Sequence, residues 1–512
     1  MDSSLLRLDD PGGKPVYQQI ADQLSRAIGQ GELEPGERLP AIRALAADLG
    51  LHRDTVALAY EQLAREGQVE ARVGRGTFVA SGARTVAEGP SPEAPPVTSV
   101  GGQAASTREL TLAPQVERLI ALENTRPRYA TGDDVIALHK LIPDARFYPT
   151  EDFRRCMDAA IAEDGPELFS YASPEGDPRL RRAMAERMVG RGLALSPEEV
   201  VLCHGASQGI SLALRLFTSP GDSVAVEVPT YANVLSACAG LGLGVAPVAM
   251  DAEGPDPQAL DRLLAKPEVK AFYTIPSFHN PLGTTTSLAR RRVLLEIATR
   301  HGVPIVEDGF EMDLRFRGVE VPALAALDEA GGVVLLSSYS KSLFPGIRVG
   351  SLFARGRALE GLVALKHATD LSDALPIQAA LARFLESGAY DRHLTRMREL
   401  LRVRHAAMDE ALERAMPEGT VWTRPEGGYQ RWLELPFELD TRDALADAAR
   451  AGVLFSPGTL FMPDGRASNA MRLTVACADE EEIRRGVAAL GEVLDRFGST
   501  EPGTGRAAGM HL

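Results

Sequence analysis

Lys341 is the residue of this chain with the clearest potential for covalent chemistry. It lies among the small hydroxyl side chains of Ser338, Ser340 and Ser342, directly after an apolar run. A lysine in such surroundings loses its proton readily, and the neutral amine is a nucleophile for aldehydes. Ser338, Ser340 and Arg348 are suited to binding a doubly charged phosphate group. A nucleophilic lysine beside a phosphate site predicts an aldehyde cofactor that carries a phosphate, which indicates pyridoxal 5'-phosphate.

The apolar run before Lys341 is one of several β-branched segments that alternate with helical patterns between about Thr125 and Gly498. This alternation predicts a mainly parallel sheet covered by helices. Ligands bind beyond the carboxyl ends of the strands in such sheets, so we expect the polar residues after these segments to form one site. The segments are Val200 to Leu202, Ser223 to Glu227, Lys270 to Thr274, Val303 to Glu307 and Val333 to Leu336.

Two of these segments lead into residues that suit a flat, phosphorylated ligand. Gly205, Ala206 and Ser207 open a helix, where backbone amides are able to bind an anion. An ordinary strand-to-helix turn is the alternative interpretation, and for this motif alone it is the more frequent one. Tyr231 follows another segment and is placed to stack on a ring, although a single tyrosine of this kind is more often part of the core.

Three further residues suit the polar groups of a pyridine ring and of an amino acid. Asn280 offers a neutral donor to a phenolic oxygen. Asp308 follows a buried strand and would pair with a protonated ring nitrogen, or else cap the next helix. Arg472 lies in an apolar strand and matches a carboxylate with two parallel hydrogen bonds, although a structural ion pair is the usual role of such an arginine.

These motifs, in this order along the chain, resemble the class I aminotransferase domain of fold type I. The run Tyr171 to Gly176 adds to the resemblance, because it is similar to the substrate-side tyrosine and glycine turn of that family. The resemblance implies an α/β domain with a mainly parallel central sheet and a smaller carboxyl-terminal α+β part. It assigns Lys341 to the bond with the cofactor, and Tyr171 and Arg472 to the substrate. It assigns the phosphate to Gly205, Ala206, Ser207, Ser338, Ser340 and Arg348, and the ring to Tyr231, Asn280 and Asp308.

Phe310 departs from the family pattern. The family usually has a tyrosine shortly after the aspartate, and its hydroxyl bonds the phenolic oxygen of the cofactor. With Phe310 in that place, Asn280 remains as the partner of this oxygen, and the protonation balance of the bound cofactor changes. This favours sensing over efficient turnover, although another tyrosine is able to substitute in the fold.

The first eighty residues show the pattern of a winged helix-turn-helix. An amphipathic helix is predicted from Lys14 to Gly29, a second after Pro40, and a third from about His52 to Arg65. Alternating apolar residues then predict a small hairpin with Arg75 at its tip. The alternative is a three-helix bundle that contacts protein.

The residues of this segment resemble the GntR family, notably Pro35 to Pro40, Arg53 to Val56, and Gly74 to Val79. The resemblance implies binding to double-stranded operator DNA. The net charge of -15 argues against unspecific binding to nucleic acid, so recognition has to come from local patterning. By analogy with the family, the DNA contacts are expected from Arg38, Arg43, Arg53, Thr55 and Arg75.

The composition divides the chain into four parts. We predict the DNA-binding domain at 1–80, a linker rich in proline, glycine and alanine at 81–124, the aminotransferase-like domain at 125–498 and a flexible tail at 499–512. The acidic amino terminus and the absence of a long uncharged apolar run indicate a cytoplasmic protein without membrane contact. The four cysteines lie far apart, which argues against a metal site and against a disulfide framework.

The order of the domains resembles the MocR/GabR group of bacterial regulators. The resemblance implies a homodimer whose DNA-binding domain docks on the partner subunit. It also implies that the pyridoxal phosphate domain senses an amine or amino-acid effector by aldimine exchange at Lys341, with low or vestigial transaminase activity. The alternative is an active amino-acid aminotransferase with an accessory DNA-binding domain, which the run Asn280 to Gly283 favours.

Overall fold

The computed structural model describes residues 16–29, 33–34, 36–49, 51, 53–65, 68–72, 76–80, 111–127, 129 and 135–498. The chain divides into two compact units, Met1–Arg108 and Glu109–Leu512. Within the described residues, no helix has the length and apolar character needed to cross a membrane.

The first unit contains three helices followed by a hairpin. The elements are α1 (Val16–Gly29), α2 (Ile42–Asp48), α3 (Arg53–Arg65), β1 (Val69–Arg72) and β2 (Gly76–Val79), and the two strands are antiparallel. Its core forms because apolar residues recur at helical spacing on each helix. Ile20 and Leu24 of α1 pack with Leu45 of α2 and with Val56 and Leu63 of α3. This arrangement confirms the predicted winged helix-turn-helix.

The second unit begins with α4 (Pro114–Thr125), which lies inside the segment predicted as a linker. The helix packs on a later helix, Ala232–Leu241. Arg126, directly after the end of α4, donates hydrogen bonds to Asn233 and Ser236 of that helix. A short strand, β3 (Ile136–Ala137), follows. The boundaries of the four predicted parts stay predictions.

A sheet of eight strands forms the centre of the second unit. Its strands are β4 (Val200–Cys203), β5 (Ser223–Val228), β6 (Gly244–Asp251), β7 (Gly254–Pro255), β8 (Val269–Thr274), β9 (Ile305–Asp308), β10 (Val333–Ser338) and β11 (Gly350–Phe353). They lie in the order β4-β11-β10-β9-β8-β5-β6-β7. The five from β10 to β6 are parallel, whereas β11 runs antiparallel to both of its neighbours.

Helices cover both faces of this sheet. Successive strand residues point to opposite faces, so Leu335 belongs to one apolar cluster and Leu336 to the other. Local sequence stabilises several helix starts. Asp256 accepts hydrogen bonds from the first amides of the helix Pro257–Leu264, and Ser287 accepts one from the Arg290 amide of the helix Leu288–His301. The helices of the second unit after α4, including those of its carboxyl-terminal part, are α5 (Thr150–Asp164), α6 (Pro178–Val189), α7 (Gly205–Phe217), α8 (Ala232–Leu241), α9 (Pro257–Leu264), α10 (Leu288–His301), α11 (Leu324–Leu327), α12 (Gly356–Asp370), α13 (Leu375–Glu386), α14 (Ala389–Ala415), α15 (Leu445–Arg450) and α16 (Glu480–Gly498).

A smaller α+β part completes the unit at its carboxyl end. Here β12 (Val421–Trp422), β13 (Gln430–Glu434), β16 (Ala470–Thr474) and β15 (Ser456–Pro457) form an antiparallel sheet in this order. The strand β14 (Val453–Leu454) pairs with β3. The mainly parallel sheet with a smaller carboxyl-terminal part agrees with the predicted fold class.

Candidate functional site

Lys341 lies in the turn directly after β10 and is partly buried. Its Nζ donates a hydrogen bond to the carbonyl oxygen of Leu141, and the Tyr429 hydroxyl donates to the Lys341 carbonyl oxygen over 2.7 Å. Burial lowers the pKa of the Lys341 amine; Glu311 opposes this shift, whereas Arg472 and Arg348 add to it. The surroundings therefore favour the neutral, nucleophilic amine.

Asp308 provides a buried acid at the carboxyl end of β9. It accepts hydrogen bonds from the Tyr273 hydroxyl over 2.6 Å and from the backbone amide of Phe310 over 3.1 Å. Neither donor carries a positive charge, and burial raises the pKa of the Asp308 carboxyl to about 6. A cation at this position, such as a protonated ring nitrogen, would stabilise the ionised form.

Tyr231 and Asn280 follow neighbouring strands of the sheet and are held by polar contacts. The Tyr231 hydroxyl accepts a hydrogen bond from Asn233 over 2.7 Å. Burial raises the Tyr231 pKa to about 12, and the negative charge of Asp308 adds to this shift. The Asn280 side-chain oxygen accepts from Arg472 over 3.0 Å. This bond leaves the amide nitrogen of Asn280 to donate to a ligand.

The start of α7 and the turn after β10 form an arrangement suited to an anion. Gly205, with a φ of 74°, opens the helix, and a Cβ at this position would lie 3.1 Å from the Arg348 guanidinium. Arg348 donates to the carbonyl oxygen of His204 over 2.8 Å. Ser338 ends β10 and accepts a hydrogen bond from the backbone amide of Ser340. Free helix amides, a guanidinium and two hydroxyls suit a phosphate group.

Arg472 lies on β16 with its guanidinium buried beside Lys341. It donates to the side-chain oxygen of Asn280, to the carbonyl oxygen of His139 over 3.0 Å and to the Ser456 hydroxyl over 3.2 Å. None of these acceptors is charged, its Nε has no partner, and burial lowers the Arg472 pKa to about 10. A buried guanidinium without a bonded carboxylate favours a ligand that carries one.

Glu311 was not singled out from the sequence. Its side chain is buried, and the protonation of Glu311 and that of Lys341 influence each other. The signal available in the sequence was a second acid three residues beyond Asp308. Phe310, by contrast, packs in the apolar cluster of β9 and β10 with Val306 and Leu336.

Tyr171 is the predicted effector residue that the single chain does not bring into the site. Its side chain is 83% exposed. Other residues that sequence reasoning missed surround Lys341 and Arg472, notably His139, Ser456 and Tyr429. They come from loops and strands far apart in the chain, and no spacing rule connects them.

The predicted DNA contacts fall on the first unit. Arg38 is exposed just before α2, whereas Arg43 lies on α2 and Arg53 begins α3. Thr55 lies half-buried in the first turn of α3. Arg75 lies outside the described residues. The roles of all five residues in DNA binding stay predictions.

The residues of the second unit fit pyridoxal phosphate. The Lys341 amine follows β10, the buried Asp308 carboxyl ends β9, and the arrangement suited to an anion lies at the start of α7. The buried guanidinium of Arg472 lies beside Lys341. Fold and site together define a fold type I protein that depends on pyridoxal phosphate.

Comparison with known proteins agrees with this class. The family profile "Aminotransferase class I and II" matches residues 145–490, and that of "Bacterial regulatory proteins, gntR family" matches residues 16–79. The chain is 32% identical to the uncharacterized HTH-type transcriptional regulator YdcR of Escherichia coli, over 93% of this chain and 98% of that protein. It is 33% identical to aromatic-amino-acid aminotransferase 1 of Thermococcus litoralis, over 75% of this chain and 91% of that protein.

Among solved structures, LysN, the alpha-aminoadipate aminotransferase of Thermus thermophilus complexed with N-(5'-phosphopyridoxyl)-L-leucine, matches with a TM-score of 0.67 at 32% identity. The match covers 75% of this chain and 95% of that one. The chain therefore belongs to the aminotransferase class I and II family, in the group of GntR-type regulators that includes MocR.

Proposed function

We propose that this protein is a DNA-binding transcriptional regulator whose second unit senses an amine or amino acid through pyridoxal phosphate. The observation that carries the proposal is that one buried site holds both Lys341 and Arg472, while the same chain holds a GntR-type unit. The amine of an amino acid would replace Lys341 in its bond with the cofactor, and the carboxylate would pair with Arg472. The cofactor supplies an aldehyde that Lys341 and an incoming amine bond in turn.

The residues of the chain have separate parts in this exchange. Asp308 holds the proton of the ring nitrogen, the Arg348 side chain and the start of α7 hold the phosphate, and Arg472 receives the effector carboxylate. With the cofactor bound, an incoming effector amine would replace the Lys341 amine at the aldehyde carbon and release Lys341. The released amine and the bound effector would compete for the hydrogen-bond partners around Lys341, and we infer that the neighbouring side chains rearrange in response. This rearrangement provides the difference between two states that a regulator requires.

We propose that α3 and the hairpin of the first unit contact operator DNA, with Arg38, Arg43, Arg53, Thr55 and Arg75 as contact residues. The regulator is proposed to act as a homodimer in which each DNA-binding unit docks on the partner subunit. Tyr171, exposed in the single chain, is proposed to act on the effector in that dimer. Cytoplasmic localisation is part of the proposal, since the DNA partner is found there.

The proposal is tested with purified full-length protein and the DNA upstream of its own coding sequence. We expect a footprint that changes when pyridoxal phosphate is added, and Arg53→Ala to weaken binding by about 1–3 kcal/mol if the side chain reads a base. An equal loss on unrelated DNA would make Arg53 a phosphate contact. Rapid transamination with 2-oxoglutarate together with no footprint would contradict the regulator.

The second candidate is an amino-acid aminotransferase with an accessory DNA-binding unit. The 33% identity to aromatic-amino-acid aminotransferase 1 of Thermococcus litoralis supports it, and a buried arginine for a carboxylate would serve a substrate as well as an effector. Steady-state turnover separates the two functions. An aminotransferase converts a molar excess of amino acid per site, whereas a sensor retains the amino acid without comparable turnover.

A further inference from the structure

Glu311 has a carboxyl group with one satisfied oxygen and one unsatisfied oxygen. Its Oε2 accepts hydrogen bonds from the backbone amide of Tyr429 over 3.3 Å and from the Gln430 side chain over 3.1 Å. Its Oε1 is shielded from solvent and has no partner. The backbone of Gly428 lies against the carboxyl group, because a Cβ at this position would collide with Oε2. The carboxyl is therefore fixed, and Oε1 remains for a ligand.

The surroundings of Glu311 favour the neutral acid. Burial raises the pKa of its carboxyl to about 8, although Lys341 and Arg472 act in the opposite direction. The positive charge of Arg348 contributes to lowering the pKa of Lys341. The buried hydroxyl of Tyr429 is a further titratable group beside Glu311 and Lys341. Because Oε2 accepts two N–H groups, the proton of the acid belongs on Oε1. A buried O–H group requires an acceptor.

The position of Glu311 is at the lysine end of the cofactor site. Strand β13 begins next to Tyr429, which donates its backbone amide to Glu311 and its hydroxyl to the Lys341 carbonyl oxygen. Glu311 is also the third residue after Asp308. The phenolic oxygen of pyridoxal phosphate is adjacent to the aldehyde carbon that Lys341 bonds. An O–H donor beside Lys341 is thus within the part of the site where that oxygen belongs.

We propose that Glu311, as a neutral acid, donates a hydrogen bond from Oε1 to the phenolic oxygen of the cofactor. It takes the part that a tyrosine hydroxyl has in related proteins, with Asn280 as the second donor. This inference rests on the pyridoxal phosphate site of the proposed function. A neutral donor stabilises the ionised phenolic oxygen, so the bound cofactor loses its proton at lower pH. A carboxylate would have the opposite effect.

The sign of this effect makes the proposal testable by pH titration of the absorbance of the bound cofactor. Glu311→Gln keeps a neutral donor, so we expect its midpoint to stay near that of the unmodified protein. Glu311→Leu removes the donor and is expected to raise the midpoint by about 1–2 pH units. Glu296→Gln, an exposed carboxylate on α10, serves as the control. A midpoint lowered by about one unit or more in Glu311→Gln would mean an ionised Glu311 and would overturn the proposal.

Infrared difference spectra of the cofactor-free protein provide a second measurement. The unmodified protein minus Glu311→Gln is expected to show the C=O stretch of a protonated carboxyl at pH 6, and this band is expected to disappear at alkaline pH. Carboxylate bands alone at pH 6 would contradict the neutral acid. If the unmodified protein binds no pyridoxal phosphate, the proposed function fails. If the unmodified protein binds the cofactor but the titration midpoints of the Glu311 variants differ from those expected, only the proposed role of Glu311 fails.

Discussion

At the scale of residues, uncompensated buried charges identify what the site binds. Asp308 has no bonded cation and Arg472 has no bonded anion, so in the proposed function each would gain a partner from a pyridinium ring and a carboxylate. The sequence indicated both residues because they follow or lie in apolar strands. Glu311 and His139 were not predictable, since their importance depends on packing between segments distant in sequence.

The part of Arg472 is tested with two reagents that share an aminooxy nucleophile. Aminooxyacetate carries a carboxylate and methoxyamine does not. Arg472→Gln is expected to weaken the reaction of aminooxyacetate with the bound cofactor by about 100-fold, because a charge-assisted pair contributes roughly 1.5–3 kcal/mol. The reaction of methoxyamine is expected to stay unchanged. Stopped-flow absorbance measures both rates, and an equal loss for the two reagents would show that Arg472 only supports the fold.

At the scale of elements, β-branched runs predicted the parallel strands because a strand buried on both faces has few polar residues. The helix α4 was missed, since its segment adjoins a run rich in proline, glycine and alanine. The residue after its end, Arg126, is held by contacts with α8, which lies far away in the sequence. Elements whose stability comes from tertiary contacts are the ones that local patterns predict poorly.

The contact between α14 and α16 depends on a glycine. A methyl group on Gly491 would collide with the carbonyl oxygen of Ala415, whereas one on Gly332 would meet no atom within 4 Å. We expect Gly491→Ala to reduce the free energy of unfolding by about 1–3 kcal/mol. Gly332→Ala is the control and is expected to change it by less than about 0.5 kcal/mol. Urea unfolding followed by tryptophan fluorescence measures both, because Trp422 and Trp432 lie in this unit. Equal stabilities would contradict the close approach of the two helices.

Helix α14 also buries a neutral histidine. The Nε2 of His393 lies 3.0 Å from the carbonyl oxygen of Ser342, and burial lowers the His393 pKa to about 4. The unfolded chain binds this proton near pH 6.5 and the folded chain only near pH 4, so acid between these values favours unfolding. His393→Gln removes this uptake. Between pH 6.5 and pH 4, we expect the free energy of unfolding to fall by about 3 kcal/mol less in the variant than in the unmodified protein. Urea unfolding at each pH measures this difference. Parallel pH curves for the two proteins would contradict a neutral buried His393.

At the scale of the whole molecule, one chain joins a GntR-type unit and an aminotransferase-like unit, and the motifs of each predicted its class. The helix α4 belongs to the second unit and falls within the segment predicted as a linker, and the boundaries of the predicted parts stay predictions. The identity of the effector could also not be predicted from sequence patterns. The residues that would distinguish its side chain converge from loops rather than from a motif.

The central claim, that exchange at Lys341 controls DNA binding, is tested by the affinity of the cofactor-loaded protein for its operator with and without aminooxyacetate. We expect the reagent to shift the cofactor absorbance and to change the operator Kd by about 5–150-fold, the usual range of coupling between two sites. Lys341→Ala is expected to show no such change in Kd, because it has no lysine to release. A complete absorbance shift in the unmodified protein with an unchanged operator Kd would contradict the account.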